Sequence, residues 1–182
     1  KIGSSSKSLK TAHSNLGNLL KTDLGFATLR GVFNFAKEAV NLGSDIAEVE
    51  NVVNTAFGSM AQHAYDFAST ATEQFGLSEL AAKQYAGTMM AMLKSSGVAQ
   101  AQAAKMSTTL AGLAGDIASF YNIETDEAFY KLRAAISGET EPMKQLGVNM
   151  NIVNLEAFAM SQGINKAYKE MTLAEQATLR YN

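Results

Sequence analysis

Several residue types are absent or scarce in this sequence, and each scarcity excludes a class of protein. The 182 residues include no cysteine, which rules out a disulfide scaffold, a cysteine-based zinc site and a thiol nucleophile. There is one proline, against an average of about 5%, whereas all-β folds need many short turns. Charged residues make up only 18%, but 47% of residues are hydrophobic, which excludes a charge-rich disordered chain. The 29 alanines, the best helix formers, favour long helices.

The sequence also has no long hydrophobic run. The most apolar stretch, residues 24–40, is interrupted by four polar or charged side chains: Arg30, Asn34, Lys37 and Glu38. A membrane-spanning helix needs about 20 consecutive apolar residues, so none is predicted, and no secretory signal is recognised near the start. Because the sequence begins with Lys1 and stops at Asn182 within a helical pattern, we expect it to be a fragment of a longer polypeptide.

Positive charge is concentrated at the amino-terminal end. Residues 1–44 carry a net charge of +4 and the remainder carries −6. We therefore predict a basic helical arm at 1–43 followed by an acidic body at 44–182. The arm is compatible with an acidic partner surface, a membrane or nucleic acid, but scattered lysines on a solvated helix explain it more simply.

Apolar residues recur at helical spacing, and glycine or serine separates the stripes. The clearest stripes include Ala64–Phe75, Ala82–Leu93 and Met106–Tyr121, each at spacings of three or four residues. The pairs Gly58-Ser59 and Ser96-Gly97 and the triplet Gly76-Leu77-Ser78 are typical of helix ends and caps. A bend near Gly25 is also expected. The fold class predicted is all-α, a multi-helix module with long amphipathic helices.

Helix starts and one loop are predicted in the carboxyl-terminal third. Thr125-Asp126-Glu127 is predicted to cap a helix, and Thr172 with Glu175 forms a capping-box pattern. Residues 137–149 hold the only proline and two of the glycines, so we predict a Pro/Gly loop with a one-turn helix that starts at Pro142 and is closed by Gly147.

Few residues suit catalysis or metal binding. His63, three residues before Asp66, is more simply an exposed side chain than a ligand, because no Glu-x-x-His or His-x-x-x-His pattern accompanies it. Gly112 and Gly115 are interpreted as sites of close helix packing rather than as a phosphate loop. Glu139 and Glu141 form only a weak candidate glycosidase pair, since no aromatic sugar platform is recognised beside them. No catalytic, metal-binding or cofactor-binding residue is therefore predicted.

Nine methionines leave two interpretations open. Met89 belongs to a predicted core stripe, while Met90 and Met92 point elsewhere on the same helix, where methionine either fills an irregular core or forms an adaptable binding surface. The candidate partner-contact surface consists of Met90, Met92, Arg30 and Phe33.

Several blocks occur in an order that resembles the core region of phage tail tape measure proteins. Each block alone is short, but the ordered set is specific and covers roughly residues 44–182. The blocks are Ser44–Val53, Ala56–Met60, Phe75–Ser78, Ala82–Tyr85, Leu113–Asn122, Glu127-Ala128, Lys131-Leu132, Gly138–Pro142, Lys144–Val148 and Met171-Thr172 through Leu179–Tyr181.

The resemblance implies a structural role without enzymatic activity. Proteins of this family set tail length during assembly, lie in the tail lumen and tip of the virion, and leave through the tip when DNA is delivered. The implied partners are other copies of the chain, with a trimer expected, tail-tip or baseplate proteins and the tail tube. Sequence-specific nucleic-acid binding is not expected. The implied location is the virion, with the host cytoplasm during assembly.

Two alternatives remain at this stage. The chain could be a cell-wall-degrading module that uses Glu139, Glu141 or His63. It could also contact the host membrane during ejection, because a hydrophobic segment often precedes the matched region in the family. The charged residues within 24–40 weigh against that second alternative.

Overall fold

Residues 45–182 are described by a computed structural model of the chain. Of these residues 79% are helical and none lies in a β-strand, which confirms the all-α prediction. The predicted basic arm, its boundary at residue 44, the bend near Gly25 and the two candidate contact residues Arg30 and Phe33 lie outside the described residues.

The helices follow one another with short connections. Residues 45–57 are helical (α1) and lead through a 3-10 turn at Gly58–Met60 into α2. The later helices are α2 at Ala61–Phe75, α3 at Glu79–Ser95, α4 at Gln100–Tyr121, α5 at Thr125–Ser137, α6 at Glu141–Lys144, α7 at Ile152–Ser161 and, after a 3-10 turn at Tyr168–Glu170, α8 at Leu173–Tyr181.

Helices α1 to α5 supply most of the main core. The predicted stripe of α3 is fully buried, from Ala82 through Met89 to Leu93. The stripe of α4 is buried only in part, because Met106, Leu110 and Ala114 lie in the core while Leu113 and Phe120 are exposed. Helix α4 therefore contributes to the core on one side and leaves apolar side chains uncovered elsewhere.

Two glycines let α4 approach the end of α2 closely. A Cβ atom at Gly112 would lie 2.9 Å from the ring of Phe75, and one at Gly115 would overlap the carbonyl oxygen of Phe75. Helix α2 ends at this point because Gly76 adopts a left-handed conformation. These glycines thus serve close helix packing, as the sequence predicts.

The predicted caps are correct at two helices and wrong at a third. Ser78 caps α3 by accepting from the Ala81 N–H at 3.1 Å, and Thr172 and Glu175 form the full capping box of α8. Helix α5, however, has Glu124 at its N-cap without a side-chain hydrogen bond, and Thr125 is its first helical residue. The side chains of Thr125 and Asp126 instead contact Tyr85 of α3, a tertiary contact that local sequence does not reveal.

Tyr85 joins α3 to α5 inside the core. Its ring stacks on Phe129 with centroids 4.1 Å apart, and its hydroxyl donates to Asp126 Oδ1 at 2.5 Å. Burial first, and then this hydrogen bond, raise the pKa of Tyr85 to about 12.

Replacing Gly115 with alanine should test the close approach of α2 and α4. The new methyl group would collide with backbone rather than with a movable side chain, so we expect Gly115→Ala to lower the free energy of unfolding by about 1–3 kcal/mol. Gly87→Ala is the matched control, because its Cβ would come close, at 2.9 Å, only to a methyl group of the exposed Val52 side chain, while Val53 stays at an ordinary contact distance of 3.7 Å or more. Urea denaturation gives the free energy of unfolding of both variants. Equal stability of the two would contradict the close packing of α4 against α2.

Tyr85 should make stability fall at high pH. The unfolded tyrosine ionises near pH 10, but the folded one does so near 12. Its stabilising contribution is therefore complete below pH 10 and is lost between pH 10 and 12. We expect the melting-temperature advantage of the wild type over Tyr85→Phe to shrink across that interval, as measured by thermal melts. An advantage that is constant from pH 8 to 12 would contradict this assignment.

Candidate functional site

An open groove of about 580 Å³ lies in the carboxyl-terminal half of the chain. Its walls come from α4, the end of α5, residues 146–150, α7 and the end of α8. Most lining side chains are apolar, among them Leu113, Ile117, Val148, Phe158 and Leu179. We call this feature the apolar groove. Its volume lies within the usual range of binding sites, about 300–1,000 Å³.

Helix α4 provides one wall through a single helical face. Leu113, Ile117 and Tyr121 are spaced by four residues and all line the groove. Tyr121 also fixes the neighbouring wall, because its hydroxyl donates to the carbonyl oxygen of Leu146 at 2.6 Å. The wall of residues 146–150 is thereby held against the last turn of α4.

A short helix and a glycine turn bring residues 146–150 to this position. Pro142 lies in the first turn of α6, and Gly147 has a φ of +78°, a conformation that favours glycine. The N–H of Val148 donates to the carbonyl of Met143 at 3.0 Å, which closes the turn.

Helices α7 and α8 form the opposite side through a small second core. Leu155 and Ala159 of α7 are buried with Met171 and Leu179. Asn151 caps α7 by accepting from the Asn154 N–H at 2.8 Å. Glu156 Oε1 accepts from the Tyr168 N–H at 2.9 Å, which ties α7 to the 3-10 turn that precedes α8.

Arg180 is the only charged residue among the described residues that line the groove. It is 9% exposed, and its Nε donates to the carbonyl of Ile136 at 2.9 Å while its Nη1 donates to the Tyr168 hydroxyl. No acidic side chain forms an ion pair with it within residues 45–182. The guanidinium instead lies at the carboxyl end of α5, where the helix dipole favours a cation.

Glu175 secures the start of α8, whose end reaches the groove. Its carboxylate accepts from Lys166 Nζ at 2.7 Å and from the Thr172 N–H at 2.6 Å. The hydrogen bond from Lys166, and then those with Thr172, lower the pKa of Glu175 to about 2. The carboxylate is therefore ionised at neutral pH and keeps the capping box of α8 formed.

Two of the four candidate contact residues, Met90 and Met92, lie in the part of the chain that the structure describes. Met90 is 0% exposed, so its assignment to a partner-contact surface is corrected: its side chain fills the core between helices. Met92 is half-buried and packs against the same core. Helical periodicity placed Met90 away from the stripe of Met89, but α3 is enclosed on more than one side and buries both residues.

The alternative acid–base residues are also separate. His63 Nε2 lies 3.2 Å from Thr108 Oγ1, and Asp66 accepts from Gln62 rather than from His63. Glu141 pairs with Lys144 at 2.5 Å on an exposed turn, near the exposed Glu139. In the part of the chain that the structure describes, no hydrogen bond or ion pair joins His63 to either glutamate.

Neither a metal cluster nor a membrane span is found in residues 45–182. No three histidine or acidic side chains there are arranged to hold a metal ion, and no helix combines the length and apolar character needed to cross a bilayer.

Comparison of the chain with known protein families, curated proteins and solved structures finds no match. The sequence blocks and the groove are therefore the features of the chain that bear on its function.

Removing the buried cation should loosen the carboxyl-terminal layer, the name we give to residues 141–182 with helices α6, α7 and α8. Arg180→Met keeps the length of the side chain but leaves the Ile136 carbonyl and the Tyr168 hydroxyl without their donors, so we expect a loss of about 1–3 kcal/mol in unfolding free energy. Tyr168→Phe removes one acceptor and should cost less. Urea denaturation gives both values. An Arg180→Met protein as stable as the wild type would contradict the structural role of Arg180.

Proposed function

We propose that residues 44–182 form the core-region module of a phage tail tape measure protein. In this proposal the chain is a structural, non-enzymatic component that sets tail length during assembly, lies in the lumen and tip of the tail and is released during DNA ejection. Its partners are other copies of itself, tail-tip proteins and the tail tube. The proposal rests first on the ordered sequence blocks that resemble this family.

The observation that best supports the proposal is the convergence of these blocks on the apolar groove. Three of them are far apart in sequence: Leu113–Asn122, Lys144–Val148 and Leu179–Tyr181. All three supply residues to the lining of the groove. Monomeric proteins rarely leave contiguous apolar surface uncovered without a use for it, so a shared, open apolar site suits a module that works by binding protein.

The dimensions and chemistry of the helices suit a structural role. We also propose that the module has the long amphipathic helices and the one Pro/Gly loop near 137–149 that the sequence predicts. Helix α4 has 22 residues and extends about 33 Å at 1.5 Å per residue. The turns at Gly76 and Gly97 interrupt the chain too often for a rigid measuring rod. We therefore propose that the segment that measures tail length lies outside residues 44–182 of the parent protein.

Tail length provides the direct test. In the phage that encodes the chain, an in-frame deletion of 60 residues from a helical tract outside residues 44–182 should shorten tails by about 90 Å, since a helix rises 1.5 Å per residue. Electron microscopy of purified tails measures the change. As a control, Leu113→Lys within the groove should alter tail yield but not tail length. Normal tails assembled without the protein would contradict the proposal.

Zymography tests the non-enzymatic part of the proposal. The purified chain should leave peptidoglycan intact. Clearing of the cell-wall substrate that is lost in Glu139→Gln would instead establish the cell-wall-degrading alternative. Leakage from liposomes that depends on residues 1–43 would support the membrane-active one.

A further inference from the structure

The outward face of α7 is apolar and uncovered within the described part of the chain. Val153 is 73% exposed, Met160 is 66% exposed and Ile152 is 57% exposed, whereas Leu155 and Ala159 on the inward face are buried. We call Ile152, Val153, Ala157 and Met160 the outer stripe. Three large apolar residues exposed to this degree on one 10-residue helix form a patch that is rare on monomeric proteins and typical of a surface that another surface covers.

The outer stripe has the pattern of a helix that lies in a groove. Val153, Ala157 and Met160 are at positions i, i+4 and i+7, the spacing of anchors in helix-in-groove recognition. One acidic residue, Glu156, lies between Val153 and Met160 on this face. Only its Oε1 accepts a hydrogen bond in the described structure, from the Tyr168 N–H, so the second carboxylate oxygen remains available to a partner.

The apolar groove has the complementary chemistry. It offers apolar side chains from several helices and one cation, Arg180, which has no acidic partner among the described residues. The stripe thus carries one negative charge in apolar surroundings, and the groove carries one positive charge in apolar surroundings. Complementary charges of this kind fix the register of an interface and disfavour other partners.

We propose that the apolar groove binds the outer stripe of α7 from a second copy of the chain. Both complementary surfaces belong to the same chain and adjoin each other, because the inward-facing Phe158 of α7 lines the groove. Since the two surfaces differ, the contact can close as a reciprocal pair or as a ring of copies. This inference rests on the proposed function, because that function brings several copies of the chain together in one tail. The contact between the copies is inferred from the groove and the outer stripe.

Self-association of the purified full chain tests the contact. Sedimentation equilibrium from about 1 to 200 µM covers the range in which a micromolar interface forms. We expect the wild type to associate. We expect Leu113→Lys in the groove and Val153→Glu in the stripe each to raise the dissociation constant at least about tenfold, because each places a charge in the apolar contact. Both positions are exposed enough to accept the change in the free chain.

A mixture of the two variants distinguishes this contact from any other. The Val153→Glu chain keeps an intact groove and the Leu113→Lys chain keeps an intact stripe, so an equimolar mixture should form a heterodimer at concentrations where each variant alone is monomeric. Leu173→Lys is the matched control: Leu173 is 64% exposed but belongs to neither surface, and its substitution should leave association unchanged.

Charge complementarity has its own test. Glu156→Gln keeps an acceptor for the Tyr168 N–H but removes the charge. We expect it to weaken association several-fold and to reduce the sensitivity of association to salt.

Three results would overturn the proposal: a wild-type chain that is monomeric at about 200 µM, a Val153→Glu chain that associates normally, or a mixture of variants that stays monomeric. A monomeric wild type would assign the groove to a different protein. None of these results changes the expected tail-length outcome, so failure of this inference can be distinguished from failure of the proposed function.

Discussion

The close approach of α4 to the end of α2 is the contact on which the rest of the structure depends. Gly112 and Gly115 leave no side chain between α4 and Phe75, so the helix can lie against backbone. This position buries Met106, Leu110 and Ala114 in the main core. It also fixes the orientation of α4, so that Leu113, Ile117 and Tyr121 line the groove beside the carboxyl-terminal layer. One helix thereby determines both the core and the wall of the groove.

The carboxyl-terminal layer is held by polar contacts as well as by apolar burial. Its second core is small, with four buried residues. Tyr121 binds the Leu146 carbonyl, Arg180 binds the end of α5, and Glu175 completes the cap of α8. Directional contacts of this kind fix positions without filling space. The layer can therefore remain open on one side, and this opening is the groove that the proposed function uses.

The sequence predicts those parts of the fold that depend on local patterns. Helical spacing, Gly76, Ser78 and the Thr172–Glu175 capping box are local signals, and the structure agrees with them. The burial of Met90 and the hydrogen bond from Tyr85 to Thr125 depend on helices distant in sequence, so neither helical spacing nor a local cap pattern predicts them. The prediction does not include helix α7, although Asn151 before an apolar run is a signal for it. The groove could not be predicted, because its walls come from segments that meet only in the folded chain.

We propose that this helical module joins copies of a tail structural protein through the groove and α7. Disulfide trapping in assembled tails tests that claim directly, because the chain has no cysteine of its own. Tails that carry both Leu113→Cys and Val153→Cys should give a cross-linked species between copies after mild oxidation, and neither single variant should do so. The absence of a cross-link, or an equal cross-link when Leu173→Cys replaces Val153→Cys, would contradict the account.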